Sequence, residues 1–123
     1  MGQVFVNILV GHQDGGEMIP ISDVLVDTGS VHTTLPTKML DGLHITPNDY
    51  VTVEFANHEQ ADWAVGQARI QIQGSDKVWT CPVYFSPDEG EFLLGATTLE
   101  TFGLMVDPLE YGLIPKTIRA RSI

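Results

Sequence analysis

Hydrophobic residues recur at every second position along much of the chain, and this spacing constrains the fold more than any other feature. Val4, Val6, Ile8 and Val10 share one parity, interleaved with Phe5, Asn7 and Leu9. Val51, Val53 and Phe55 alternate with Thr52 and Glu54, and Ile70 and Ile72 with Arg69, Gln71 and Gln73. Trp79, Cys81, Val83 and Phe85 follow the same rule. A period of two places one set of side chains on one face of a strand, so the pattern predicts a mainly β chain.

Turn chemistry separates these runs. The polar, glycine-rich segment 11–16 (GHQDGG) stands between the first strand and an apolar run from Met18 to Val26, which predicts an N-terminal hairpin. Ala56-Asn57-His58-Glu59 lies between the next two runs and predicts a long hairpin over Val51–Ile72, with Asn57 suited to the turn. Pro82 cannot donate to a ladder, so its strand is expected at an edge or bulged there. Thr97-Thr98-Leu99-Glu100 fits a capping box with Gly103 as a stop, which predicts one short helix near the C-terminus. Thr37–Leu40 before Gly42 marks another single turn of helix.

The 123 residues make one domain, expected to span 1–123 with 116–123 as a basic tail. That tail, Lys116-Thr117-Ile118-Arg119-Ala120-Arg121, holds three of the six cations. It reads either as solvated chain or as a contact to the acidic surface of a partner subunit. The formal net charge of -10 argues against a nucleic-acid partner and against anionic lipid. No run is apolar for long enough to suggest a membrane span. The single Cys81 excludes an internal disulfide framework, and its apolar strand position reads as a buried structural thiol. Met1-Gly2-Gln3-Val4 shows no secretory signal, so a reducing cytoplasmic setting is expected.

One segment carries chemistry. Val24-Leu25-Val26 predicts a buried strand that runs directly into Asp27-Thr28-Gly29-Ser30. A carboxylate at that junction is costly without partners. Gly29 permits close backbone approach, while Thr28 and Ser30 offer hydroxyls to hold the loop and the carboxylate. The competing reading is an Asp that only caps a turn. His12, His32, His44 and His58 show no i,i+4 ligand spacing and no cysteine cluster, so no metal and no cofactor is expected.

Further on, Glu91-Phe92-Leu93-Leu94-Gly95 forms a second apolar strand ending in glycine, followed by the capped helix and Phe102-Gly103-Leu104-Met105-Val106-Asp107. With Leu25-Val26-Asp27-Thr28-Gly29-Ser30, Leu35-Pro36 and the central hairpin, this order resembles the retropepsin-like aspartic proteases. That single-domain group includes retroviral proteases and their bacterial relatives. The resemblance covers residues 4 to 115. It implies an acid-protease β-barrel whose active site lies at a two-fold dimer interface, with Asp27 as the catalytic residue.

Aspartic proteolysis uses two carboxylates that share one proton. This chain has one Asp-Thr-Gly, and Leu94-Gly95-Ala96 supplies no second acid. An active enzyme is therefore expected to be a homodimer acting on peptide or protein. The resemblance implies that Thr28 bonds across the dimer axis, that Gly29 approaches carboxylate and substrate, and that Ser30 donates to the outer carboxylate oxygen. It also implies a cleft-lining Leu93 and a Gly95 packed under the loop. The hairpin resembles a flap, which implies substrate contacts from Ala56, Asn57 and His58, although the tip lacks the glycines of retroviral flaps. Trp63 reads either as a shield for the cleft or as a packed aromatic. The alternatives to an enzyme are a non-catalytic peptide-binding or dimerisation module of the same fold, and a structural subunit with no peptide site.

Overall fold

The computed structural model describes residues 2–109 and 112–116. The basic tail beyond Lys116 lies outside the described residues. Among the described residues, nine strands and two short helices follow in the order β1 (Phe5–His12), β2 (Met18–Val26), β3 (Thr33–Pro36), α1 (Thr37–Gly42), β4 (Asp49–Glu54), β5 (Gln60–Ile72), β6 (Trp79–Ser86), β7 (Leu93–Leu94), α2 (Ala96–Phe102), β8 (Leu104–Asp107) and β9 (Gly112–Pro115). The chain is mainly β, as the alternation predicts.

The strands pair in the order β1-β2-β7-β3-β6-β5-β4, and β1 also pairs with β5. That extra pairing closes β1, β2, β7, β3, β6 and β5 into a ring, so each of the six has a neighbour on both sides over part of its length. Alternate side chains fill the interior. Ile8, Val10, Val24, Leu35, Ile70, Ile72, Val83 and Leu94 are buried, and Leu40 of α1 and Leu99 of α2 close over them. Full burial of one such side chain contributes about 1.5–3 kcal/mol, so the parity of these strands is strongly specified.

Strand β5 has two roles. Its residues Ala68–Ile72 pair with β1 inside the barrel, and Gln60–Val65 pair with β4. β6 runs along its other edge from Val65 to Ile70. The stretch before Val65 therefore leaves the barrel as a hairpin with β4. Pro82 sits where its strand has one neighbour: β3 pairs with β6 only from Val83 to Ser86. The sequence reading of a local edge at Pro82 is borne out.

Three expectations change. α1 runs over Thr37–Gly42, longer than the single helical turn expected there, so the described residues hold two short helices rather than one. The capping box at Thr97 is not made. Gly95 is the N-cap of α2, with no side-chain cap bond, while Gly103 ends the helix in left-handed geometry as expected. At the hairpin tip, the left-handed residue is His58 (φ 67°), not Asn57. Asn57 contributes differently, accepting the Glu59 amide through Oδ1 at 3.0 Å.

Candidate active site

Asp27 follows the last residue of β2, whose Leu25 and Val26 pair in parallel with Leu93 and Leu94 of β7. Its own amide donates to the Leu94 carbonyl at 2.9 Å. The strand thus delivers the carboxylate to the surface at a fixed height, half-buried. The loop then folds back on it. Gly29 N–H donates to Asp27 Oδ1 at 2.9 Å, and Ser30 N–H to the Asp27 carbonyl at 3.1 Å. A Cβ on Gly29 would lie 3.2 Å from Oδ1, so a side chain there would crowd the carboxylate.

The loop is held from beneath by α2. The first amides of a helix lack intrahelical partners. Here Ala96 N–H donates to the Ser30 carbonyl and Thr97 N–H to the Val31 carbonyl, both at 2.8 Å. The Asp27 loop is therefore the cap of α2, which explains why no side chain caps it. Gly95 makes this approach feasible. A Cβ there would fall 2.3 Å from the His32 carbonyl carbon and 2.7 Å from the Thr33 nitrogen. The expected packing of Gly95 under the loop is present.

Hydroxyls complete the junction. Thr33 Oγ1 accepts the Gly95 amide at 3.0 Å and lies 2.6 Å from Thr98 Oγ1. The Thr97 hydroxyl donates to the Val31 carbonyl. Ser30 Oγ donates to the His32 carbonyl at 2.8 Å, not to Asp27. This corrects the expected Ser30–carboxylate bond: in this chain the hydroxyl stiffens the loop. The Thr28 side chain is exposed.

His32 is the residue that the sequence reading passed over, weighing it only as a metal ligand. Its Nδ1 lies 2.6 Å from Thr97 Oγ1, and its ring stands 5.0 Å from that of Tyr84. Burial pushes its pKa below the usual value. The paired threonines Thr33-Thr34 and Thr97-Thr98 were the available signal, since adjacent hydroxyls in buried segments need partners.

The structure thus brings together Asp27, Thr28, Gly29, Ser30 and Leu93. Leu93 is half-buried, facing away from the fully buried Leu94. Ala56, Asn57 and His58 sit exposed at the hairpin tip, and no hydrogen bond among the described residues joins them to the Asp27 loop. A cavity of about 460 Å³ beside the hairpin, between Asp41, Tyr50, Asp62 and Trp63, does not include Asp27. No group of three or more His, Cys, Asp or Glu among the described residues is placed to hold a metal ion. No helix among them is long and apolar enough to cross a membrane.

Residues 20–101 match the family described as "gag-polyprotein putative aspartyl protease". The chain belongs to this family. The gag-polyprotein aspartyl proteases are retropepsin-like, so the mainly β, retropepsin-like class expected from the motif order is borne out. Among solved structures, the simian foamy virus (mac) protease in solution is 14% identical over 78% of this chain and 93% of its own, with a TM-score of 0.48. The crystal structure of Lpg0085, a protein of unknown function (DUF785) from Legionella pneumophila subsp. pneumophila str. Philadelphia 1, is 18% identical. It covers 93% of this chain and 95% of its own, with a TM-score of 0.49. No curated protein matches the chain in sequence.

Proposed function

We propose that this family member is a homodimeric aspartic endopeptidase whose two Asp27 carboxylates, one per subunit, share one proton. The observation that carries this reading is the placement of Asp27. It stands half-exposed at a strand end, with Oδ1 held by the Gly29 amide, in a loop clamped to α2. A residue that merely capped a turn would have no need of such support.

The chemistry follows from two carboxylates with one proton. The ionised carboxylate takes a proton from water, and the water oxygen attacks the peptide carbonyl carbon. The protonated carboxyl gives its proton to the carbonyl oxygen, forming a neutral tetrahedral diol. Collapse breaks the C–N bond, with a proton passing to the leaving nitrogen and one returned to the pair. Thr28 then bonds across the two-fold axis. The hairpin with Ala56, Asn57 and His58, together with Leu93, closes on the extended substrate through strand-like backbone bonds.

The test is incubation of wild type and Asp27→Asn with a diverse peptide library at several pH values, read by mass spectrometry. Cleavage by the wild type alone is expected. Equal cleavage by both proteins, or by neither, overturns the reading. Cleavage by neither would favour the peptide-binding module, which the glycine-free hairpin tip also suits.

A further inference from the structure

Four aromatic rings form a continuous row from the Asp27 loop to the hairpin tip. His32 stands 5.0 Å from Tyr84 with planes tilted at 52°. Tyr84 meets Trp63 edge-on at 6.2 Å and 77°. Trp63 meets Phe55 edge-on at 5.8 Å and 61°. These are the separations and tilts at which ring pairs attract beyond simple burial.

Register explains the row. Thr34 of β3 pairs with Tyr84 of β6, and Val65 of β5 pairs with the same Tyr84. His32 and Trp63 each lie two residues before those partners, so both are diagonal neighbours of Tyr84 on one face, within reach of long side chains. On the hairpin, Val53 pairs with Ala61. Phe55, Ala61 and Trp63 share the parity of that pair and so lie on one face of the hairpin.

His32 is fixed at its end of the row by a bond whose direction can be deduced. The Thr97 hydroxyl has one hydrogen, which it gives to the Val31 carbonyl. Thr97 Oγ1 must then accept from His32, so His32 Nδ1 carries a hydrogen. The imidazole is thereby tied to the first turn of α2, the same turn that holds the Asp27 loop.

We propose that His32 is a positioning residue: through the ring row it sets where the β4–β5 hairpin rests relative to the Asp27 loop. Among the described residues, β4 pairs with β5 alone, and β6 accompanies β5 only from Val65 onward. Beyond that point the rings form a side-chain path from hairpin to loop. The consequence for catalysis rests on the endopeptidase reading. The restraint itself does not.

The test uses the full chain and amide hydrogen exchange at Phe55 and His58, whose amides close the tip turn. His32→Asn keeps a donor for Thr97 but removes the ring. His32→Phe keeps a ring on Tyr84 but removes the donor. Tyr84→Leu breaks the row at its centre. Each aromatic pair is worth about two- to tenfold in an equilibrium constant. His32→Asn and Tyr84→Leu are therefore expected to speed tip exchange by about that factor, and His32→Phe to speed it less. In the Tyr84→Leu background, His32→Asn should add nothing. Unchanged tip exchange in His32→Asn, or an equal further increase in the Tyr84→Leu background, overturns the proposal. If Tyr84→Leu fails to fold, His32→Asn decides alone; if His32→Asn fails to fold, unchanged tip exchange in Tyr84→Leu overturns the proposal. In peptide hydrolysis, His32→Asn should raise KM by more than it lowers kcat. If the wild type cleaves nothing, the endopeptidase reading fails while the exchange result stands.

Discussion

Thr33 and Thr98 lie 65 positions apart in sequence, yet their buried hydroxyl oxygens are 2.6 Å from each other. Thr33 also accepts the Gly95 amide, so one oxygen joins β3, the β7–α2 corner and the helix. Thr33→Val conserves shape but leaves a buried amide and a buried hydroxyl without this partner. The expected cost is about 1–3 kcal/mol, read as a lower urea midpoint with an unchanged slope. Stability equal to the wild type would show that the oxygen is not structurally important.

Gly95→Ala should be more damaging than a typical overpacking change. The added carbon would meet backbone, at 2.3 Å from the His32 carbonyl carbon, rather than a side chain that can swing away. Overpacking commonly costs about 1–3 kcal/mol, and this contact has no soft neighbour, so the upper end or beyond is expected. Amide exchange should locate the damage at Ala96 and Thr97, whose bonds to Ser30 and Val31 need the close approach. Faster exchange spread evenly over the barrel, with these two amides no worse than the rest, would contradict it.

His32 links stability to pH. Burial lowers its pKa in the folded chain below the ordinary histidine value. The unfolded chain then binds the proton more readily between the two values. The stabilisation is complete above the unfolded pKa and is lost as pH falls through the folded one. Because Nδ1 already carries a hydrogen, protonation occurs at Nε2 and keeps the Thr97 bond. His32→Asn should therefore flatten part of the stability loss below about pH 6.5. An NMR titration of His32 with a midpoint above that of an unfolded peptide would reverse the sign and refute the assignment.

The dimer prediction concerns Thr28, which is exposed on the single chain. Sedimentation over a concentration series should show a species of about twice the 13.5 kDa chain mass. If Thr28 bonds across the axis, Thr28→Ala should weaken association by about tenfold or more, while the melting of the dissociated subunit stays put. An unchanged dissociation constant would remove Thr28 from the interface.

Cys81 offers a check on the core. It is fully buried, and burial raises its thiol pKa, partly offset by hydrogen bonds to Thr98 and Thr101. A bulky disulfide reagent should label it slowly in the native chain and rapidly in denaturant. Fast native labelling would mean that β6 opens against α2.

Much of this architecture is legible in the chain, because it is written locally. Alternation marks β1, β4, β5 and β6, and Pro82 reports its own missing neighbour. The Val24–Ser30 run shows where a strand must end in a carboxylate. What the sequence hides is set by distant partners. Thr97 looks like a helix cap, but its hydroxyl is taken by Val31 and its ring neighbour His32. Ser30 looks like a ligand for the carboxylate beside it, but the His32 carbonyl is the acceptor within reach. His32 carries no local periodicity, so its place in a row of rings emerges only when β3 and β5 flank β6.

The clamp beneath Asp27 also has a consequence in time. The loop is closed by residues translated 62 to 66 positions after their partners. A chain emerging from the ribosome holds Asp-Thr-Gly long before it holds Gly95 and α2. Until then Ser30 and Val31 have no amides to bind, and the carboxylate has no fixed bearing. Synthesis order therefore delays the site until almost the whole barrel exists. A nascent chain stalled before Gly95 should show no exchange protection at Ser30–Thr33.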